Sequence, residues 1–325
     1  MKLKSPALQI GNHIFKWGSR TYVMGILNIT PDSFSGDGLL SPSPIRAERS
    51  ASVVEAGGPK GMLRKGEMGE GTRAALEQAK EFLSNGADIL DVGGESTRPG
   101  SQPVSADEEL ERVIPVISAI ANEYPDSLIS IDTYKAKVAE EAFKAGARML
   151  NDVWGLRADP ELASVAAAAR VPVILMHNRS NPASVEVRTQ LGNAYIGSNY
   201  ENLIEDVKRE LLVSVELAQK AGVEASHIIL DPGIGFGKTR EHNLELINRL
   251  DEIRKLGYPV LLGPSRKSFI GFTLDLPADQ RVEGTAATIA VGIVRGADLI
   301  RVHDVLQMAR VARMTDALVR GVSKP

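Results

Sequence analysis

Eight short apolar runs of the sequence each end beside a residue whose side chain or loop could take part in chemistry. These end residues, with a histidine just beyond the last, are Asn28, Asp91, Asp132, Asn151, His177, Asp231, Gly263, Arg301 and His303. Helix caps and turns favour Asn and Asp and explain any one of them, but they do not account for His177 or Arg301. Because α/β proteins place their chemistry at the carboxyl ends of buried strands, the set predicts a ring of polar groups around one mouth.

Two carboxylates and an amide of this set suit a flat heterocycle with several N–H donors. Asp132 and Asn151 end neighbouring runs, and Asp231 opens the segment Asp-Pro-Gly-Ile-Gly-Phe-Gly-Lys. In an apolar pocket, a carboxylate can accept two parallel hydrogen bonds from the edge of an aminopyrimidine. An ordinary turn at Asp231 is the alternative interpretation, because the Asp-Pro-Gly sequence favours turns.

Positive charge at the same ends could bind an anion. Arg301 and His303 lie two residues apart, so their side chains are predicted to share one side of a strand. Ser265 is a candidate N-cap of a helix whose free N–H groups could bind a phosphate or a carboxylate. Arg98 lies on the glycine-rich loop at 93–100, where it could close over an anionic group or be an exposed charge in a turn.

Few residues suit a metal ion. Asn28 offers one neutral oxygen, which would fit Mg²⁺, a cation that keeps several waters and binds substrate phosphates. No carboxylate–histidine spacing suggests zinc, and His177 alone is interpreted as a structural or supporting residue. The chain has no cysteine, which excludes disulfides, thiolate nucleophiles and cysteine-ligated zinc.

The composition excludes further classes of protein. The 325 residues are 43% hydrophobic and 24% charged with a net charge of −3, which suits a folded protein and does not suggest a nucleic-acid partner. No apolar run reaches the roughly 18 residues of a membrane helix, and no secretory signal follows the first residues. We therefore expect a cytoplasmic protein with small-molecule substrates and neither a nucleic-acid nor a membrane partner.

The apolar runs alternate regularly with helical segments. A hairpin is predicted over residues 8–17, turning at Gly11-Asn12. Strands are predicted near residues 21–27, 88–92, 128–131, 148–151, 172–176, 227–230, 259–262 and 298–301. Helices are predicted near 72–85, 106–123, 135–145, 159–169, 200–221, 240–256, 266–272 with 281–295, and 304–319. Eight strands too apolar to have a solvated face favour a closed (β/α)8 TIM barrel over an open sheet, in one domain over 1–325.

One local order recurs in this alternation. A helix-ending glycine, a short apolar strand and a polar residue follow one another at 86–91, 146–151 and 296–301. The first βα connection departs from this regular alternation, because about 35 residues separate Ser35 from the next helix, whereas a βα loop usually has 2–6 residues. Residues 38–70 are predicted to be a flexible insertion, and a tolerated surface insertion is favoured over an active-site lid.

Together these segments resemble the dihydropteroate synthase family, the folate-pathway enzymes that sulfonamides inhibit. The matching segments follow the family's order over nearly the whole chain, at residues 24–35, 86–100, 130–135, 151–155, 176–177, 231–238, 263–270 and 301–304. The resemblance implies a (β/α)8 barrel that joins 6-hydroxymethyl-7,8-dihydropterin diphosphate to 4-aminobenzoate and releases diphosphate. The insertion departs from the family's pattern.

The resemblance also implies roles for individual residues. The pterin would be held by Asp132, Asn151, Asp231 and Lys267, with Met176 and Phe236 against its ring. The diphosphate would be bound by Thr97, Arg301, His303 and, through Mg²⁺, Asn28. The 4-aminobenzoate site would comprise Phe34, Thr97, Arg98, Pro99 and Ser268. Asp132, Lys267, Arg301 and His303 would act in catalysis, in which diphosphate departs early and leaves a pterin methylene cation. A homodimer formed through late helices is a further implication.

Two other interpretations stay open. A methyltetrahydrofolate-binding domain of a corrinoid-dependent methyltransferase would share the barrel and the pterin-holding carboxylates. It would not need the anion-binding groups at Arg98, Ser265 and Arg301. A non-catalytic pterin-binding paralogue is the other alternative, since fold and motif alone do not establish turnover.

Overall fold

A small antiparallel hairpin begins the chain in the computed structural model, which describes residues 3–30, 69–181, 185–188 and 191–321. Its strands, β1 (Ala7–Ile10) and β2 (His13–Lys16), confirm the predicted hairpin. Phe15 is buried against Tyr22 and packs with the apolar residues at the amino-terminal ends of the barrel strands. The hairpin therefore covers the end of the barrel opposite the predicted ring of polar groups.

Ten further strands follow in the described residues, and eight of them form one parallel sheet. In chain order they are β3 (Tyr22–Asn28), β4 (Ile89–Gly93), β5 (Ile129–Asp132), β6 (Met149–Asp152), β7 (Val173–Met176), β8 (Val185–Arg188), β9 (Gly192–Tyr195), β10 (Ile228–Asp231), β11 (Leu261–Leu262) and β12 (Leu299–Val302). The sheet runs β10-β7-β6-β5-β4-β3-β12-β11, and a parallel bridge between Leu230 and Val260 joins its two ends. The predicted barrel and its eight strands are confirmed.

The helices of the described residues surround this barrel. They are α1 (Glu70–Ser84), α2 (Ala106–Glu123), α3 (Ala136–Ala145), α4 (Leu162–Ala169), α5 (Leu203–Lys220), α6 (Arg240–Asn248), α7 (Leu250–Arg254), α8 (Ser268–Leu274), α9 (Val282–Val294) and α10 (Val305–Val319). Apolar residues of the strands and helices form one large cluster between the two layers. The helix predicted over 240–256 is divided at Arg249, whose φ of −111° and ψ of 23° interrupt α6 and begin α7.

Glycines end the helices that precede several barrel strands. Gly86 has a φ of +97° and Gly146 a φ of +131°, values that residues with a Cβ rarely adopt. Each turns the chain from a helix into a strand, which confirms the recurring order seen in the sequence. The strand ends, and the polar residues that follow them, are therefore fixed at one mouth of the barrel.

The predicted insertion at 38–70 lies outside the described residues except for its last two, of which Glu70 begins α1. Its flexibility and the single domain over 1–325 stay predictions. Across the described residues, no helix combines the length and the apolar character needed to cross a membrane. The cytoplasmic location also stays a prediction.

Candidate active site

A cavity of about 380 Å³ opens at the carboxyl ends of the barrel strands. This volume is in the range of small-molecule sites. The candidate residues that line it are Asn28, Thr97, Arg98, Pro99, Asp132, Asn151, Met176, Asp231, Phe236, Lys267, Ser268, Arg301 and His303. Phe34, the remaining candidate, lies outside the described residues. The structure thus brings together every described residue for which a binding or catalytic role was predicted.

Arg301 lies at the centre of an ion-pair network on the cavity floor. Its Nε donates to Asp91 Oδ2 at 2.6 Å, and a terminal nitrogen donates to Asp132 Oδ2 at 2.5 Å. Asn151 Nδ2 donates to the same Asp91 oxygen at 2.9 Å. Burial raises the pKa of Asp132 to about 7, although the Arg301 charge acts to lower it. The predicted cation Arg301 and the predicted Asp132 and Asn151 therefore form one hydrogen-bonded network with Asp91.

Asp231 and Lys267 form the second charged pair of the cavity. Asp231 Oδ1 accepts a hydrogen bond from Gly233 N at 2.7 Å, and Lys267 donates to the carbonyl of Ile234. Burial raises the pKa of Asp231, and the Lys267 charge opposes this. Burial lowers the pKa of Lys267 to about 8, while Asp231 acts to raise it. Each of these two buried groups thus favours the charged form of the other.

An apolar patch lies beside these charges. Val153, Met176 and Phe236 form a separate buried cluster, with Tyr195 packed against it. Lys267 Nζ lies 4.7 Å from the centre of the Phe236 ring, and the Tyr195 ring is 6.1 Å from the same centre. A flat ring is therefore offered an apolar face from Met176 and Phe236 and hydrogen-bonding groups at its edge.

Ser265 positions His303 and does not cap a helix. Ser265 Oγ lies 3.0 Å from His303 Nδ1 and accepts a hydrogen bond from His303 N at 3.2 Å. The prediction that Ser265 is an N-cap is wrong, because Arg266 has a φ of +53° and α8 begins only at Ser268. The Arg266 guanidinium pairs with Asp304, at 2.9 Å from Nε to Oδ2. The sequence interpretation had not connected Ser265 with His303.

The glycine-rich loop after β4 is bonded on two sides. Glu95 accepts from Tyr134 Oη at 3.0 Å and pairs with Lys135, which also binds the buried Glu109 at 2.5 Å. On the other side, Tyr195 Oη donates to the Thr97 carbonyl at 3.0 Å. Through these contacts the loop holds Thr97, Arg98 and Pro99 along the cavity.

Sequence reasoning missed the hairpin of β8 and β9, which brings Asn193 and Tyr195 to the cavity. Its signal was present, because Val185 and Val187 alternate with Glu186 and Arg188, as in a strand with one apolar face. Asn193 Nδ2 lies 3.4 Å from the Pro99 carbonyl. The missed hairpin is therefore a direct support of the glycine-rich loop.

Asn28, for which a role as a magnesium ligand is predicted, ends β3 and lines the cavity. Among the described residues, three or more histidine, aspartate or glutamate side chains do not converge as metal ligands do. One amide oxygen fits a cation whose other ligands are water and the oxygens of a bound diphosphate, which is the way in which Mg²⁺ is commonly held. The donor set therefore fits Mg²⁺ bound together with substrate.

Comparison with known proteins agrees with this geometry. Residues 58–303 match the family described as "Pterin binding enzyme". The chain is similar to the dihydropteroate synthase of Clostridium beijerinckii, with 47% identity over 96% of this chain and 100% of that protein. It is also similar to the Xanthomonas albilineans enzyme solved with 4-aminobenzoic acid, at 34% identity, a TM-score of 0.78 and coverage of 98% and 100%. The Yersinia pestis enzyme solved in a sulfonamide drug complex is 35% identical, with a TM-score of 0.80 and coverage of 97% and 100%.

Proposed function

The chain belongs to the pterin binding enzymes, and within them to the dihydropteroate synthases, and we propose how its residues carry out the dihydropteroate synthase reaction. The chain joins 6-hydroxymethyl-7,8-dihydropterin diphosphate to 4-aminobenzoate, forming 7,8-dihydropteroate and diphosphate in folate biosynthesis. One observation carries the assignment of residues. Among the described residues, the groups predicted for the pterin, the diphosphate and the aminobenzoate line one cavity of suitable volume.

The pterin binds across the cavity floor. Asp231 accepts hydrogen bonds from the aminopyrimidine edge, and Asn151 and Lys267 bind other polar atoms of the ring. Met176 and Phe236 contact its face. The aminobenzoate is received by Phe34, Thr97, Arg98, Pro99 and Ser268, of which the four described residues, Thr97, Arg98, Pro99 and Ser268, line the cavity.

Catalysis is electrostatic. The bond between the pterin methylene carbon and the diphosphate oxygen breaks, and its electron pair leaves with the diphosphate. Arg301 and His303 stabilise the charge that develops on the leaving group, and the Asp132 carboxylate stabilises the methylene cation. The aminobenzoate nitrogen then forms a bond to the methylene carbon and loses a proton. Mg²⁺ held at Asn28 would neutralise part of the diphosphate charge.

A turnover assay tests this assignment. Purified protein with Mg²⁺, the pterin diphosphate and 4-aminobenzoate is expected to release diphosphate and form dihydropteroate. Absence of product with pterin binding intact would favour the non-catalytic paralogue. The corrinoid-dependent alternative is disfavoured by Arg301 and His303 at the cavity, because a methyl-transferring domain has no diphosphate to bind.

Asn28→Ala is expected to raise the Mg²⁺ concentration for half-maximal rate about tenfold, because one ligand contact is worth roughly 1–1.5 kcal/mol. Chelation with EDTA should abolish the activity of the wild type. Steady-state rates over a Mg²⁺ titration measure both effects. Asn248→Ala, an exposed residue at the end of α6, is the matched control and should leave the titration unchanged. An unchanged titration for Asn28→Ala would remove Asn28 from the metal site.

We also propose a homodimer formed through α9 and α10, which pack against each other. Val294, Met314 and Leu318 expose 59%, 62% and 73% of their surface, so these two helices present apolar side chains for a second copy to cover. The double change Met314→Asp and Leu318→Asp should convert a dimer into a monomer in light scattering after gel filtration. Leu212→Asp on α5 is the control and should stay dimeric. A monomeric wild type would contradict the proposal.

A further inference from the structure

Lys238 is a buried lysine to which the reaction described above gives no role. Lys238 is 3% exposed and does not itself line the cavity that Asp231 and Phe236 line. Nζ lies 2.8 Å from the Gly233 carbonyl, 3.1 Å from the Phe236 carbonyl and 3.0 Å from His177 Nδ1. A lysine ammonium has three protons to donate. The three contacts therefore satisfy it completely, and His177 Nδ1 must accept.

The contact with His177 extends to the protein surface. Because Nδ1 accepts, the proton of the neutral ring lies on Nε2, which donates to Glu210 Oε2 at 3.0 Å. Burial and the Lys238 charge lower the pKa of His177 to about 4, which keeps the ring neutral near pH 7. Glu210 is in turn bound by Arg179, at 2.9 Å from Nε to Oε1. We call Lys238, His177, Glu210 and Arg179 the lysine relay.

The loop that Lys238 binds lies directly against the backbone of residues 177–180. A Cβ at Gly233 would lie 1.8 Å from the His177 carbonyl oxygen, and one at Gly237 would lie 2.5 Å from the Arg179 carbonyl carbon. Both glycines also have positive φ, at +71° and +65°. Between them, Ile234 is buried in the main core and Phe236 faces the cavity. The two backbone segments therefore fit together with no side chain between them.

Gly233 connects the relay to the recognition of the pterin. Its N–H donates to Asp231 Oδ1, and its carbonyl accepts from Lys238 Nζ. The second carbonyl bound by Lys238 belongs to Phe236, whose ring lines the cavity. Movement of Lys238 would thus be transmitted to the carboxylate and to the aromatic ring of the pterin pocket.

We propose that Lys238 is a positioning residue, and that the lysine relay holds Asp231 and Phe236 in the arrangement that binds the pterin ring. The proposal rests on the proposed function, since it concerns the same pocket. It assigns the relay to pterin binding and not to the binding of 4-aminobenzoate.

The relay also gives pterin binding a dependence on pH. Burial lowers the pKa of Lys238 to about 7. The charged and titratable groups that face it are Asp231 at the end of β10, Glu210 on α5, His177 and Arg179 after β7, Lys267 before α8 and His242 on α6. Asp231 and Glu210 favour its ammonium form, whereas Lys267 and Arg179 oppose it. As the pH rises through about 7, the ammonium loses a proton and with it one of its three bonds, so pterin affinity falls.

The first test replaces Lys238 by methionine and measures binding of 6-hydroxymethylpterin by calorimetry. The affinity is expected to fall about tenfold or more, because two carbonyls lose a charged donor. The KM for the pterin diphosphate should rise similarly, while the KM for 4-aminobenzoate stays within about twofold. Lys255→Met, at an exposed lysine paired with Asp251, is the control and should change neither value. Unchanged pterin affinity in a folded Lys238→Met protein, or an equal rise in both KM values, would overturn the proposal.

The second test is Glu210→Gln, which changes the relay at a residue outside the cavity lining and decides the question even where Lys238→Met does not fold. Loss of the Glu210 charge lowers the pKa of Lys238 further. The pH at which the pterin affinity falls should therefore be lower than in the wild type by about half a pH unit or more. If the pterin affinity of Glu210→Gln fell at the same pH as that of the wild type, the relay would be contradicted. Calorimetry needs no turnover: wild type that binds the pterin without forming product refutes the proposed function alone. Wild type that does not bind the pterin refutes the relay.

Discussion

Arg301→Lys is expected to lower turnover at pH 7 by about 100-fold or more and the free energy of unfolding by about 3 kcal/mol. The Arg301 guanidinium bonds Asp91 through Nε and Asp132 through a terminal nitrogen, and Asp91 is fully buried. A lysine ammonium has no planar fork with which to reach both carboxylates. Because a buried charge left without its partner costs about 3–5 kcal/mol, part of that loss should appear in stability. Urea unfolding and the product assay measure the two effects.

The pH profile of the same variant separates folding from catalysis. Asp132 must be ionised to stabilise a cation, and its pKa lies near 7 because burial outweighs the Arg301 charge. Lysine at position 301 without the hydrogen bond to Asp132 raises this pKa further. As the pH is lowered, the rate of the variant should therefore begin to fall at a higher pH than the rate of the wild type. With its pKa raised from 3.8, Asp132 binds more protons in the folded state than in the unfolded state. It therefore makes the fold less stable as the pH rises from about 4 to 7, and the variant should widen that window.

Arg310→Lys is the matched control for these measurements, because Arg310 is exposed on α10, away from the cavity. It should leave the rate, the pH profile and the stability unchanged. Wild-type stability in Arg301→Lys would show that the two carboxylates do not depend on the guanidinium, and would remove the stated reason for the loss of rate.

The strands and their polar ends were predictable from the sequence because the alternation of apolar runs with helical segments, and a few helix-ending glycines, determine them. Ile89–Gly93 and Leu299–Val302 are short, apolar and preceded by a glycine with positive φ, so the positions of Asp91 and Arg301 follow from local sequence. Closure of the barrel then brings their side chains to one mouth. The ion pair itself joins residues 210 positions apart, and no local pattern indicates that Arg301 binds two carboxylates.

Features that depend on tertiary contacts were not predictable in this way. Ser265 has the residue type of a helix cap, but the left-handed backbone of Arg266 delays α8 and leaves the Ser265 hydroxyl to bind His303. Lys238 follows a glycine-rich segment and resembles an exposed lysine in the sequence. Its burial results from the close fit of that segment against residues 177–180, which the sequence does not describe.

Asp231→Asn is expected to weaken the binding of 6-hydroxymethylpterin about 100-fold. The carboxylate offers acceptors only, and it can bind two neighbouring N–H groups of an aminopyrimidine edge. Asparagine keeps one acceptor, which Gly233 N already contacts at Oδ1 in the native loop, and turns an NH₂ group toward the donors of the ring. The loss of affinity is large because the N–H donors of the ring, which face position 231, are left without an acceptor in a buried pocket. Calorimetry with circular dichroism as the check on folding measures the effect.

Lys267 and Lys238 give the same variant a second signature. The Asp231 charge helps to keep the pKa of Lys267 near 8 and that of Lys238 near 7 against the effect of burial, so its removal lowers both pKa values further. The affinity that Asp231→Asn retains should therefore fall at a lower pH than the affinity of the wild type. Asp279→Asn is the matched control, since Asp279 also lines the cavity but is exposed, and its pterin affinity should stay within about twofold. Wild-type affinity in Asp231→Asn would mean that another acceptor recognises the ring, and the pterin would then have to lie away from the Asp231–Lys267 pair.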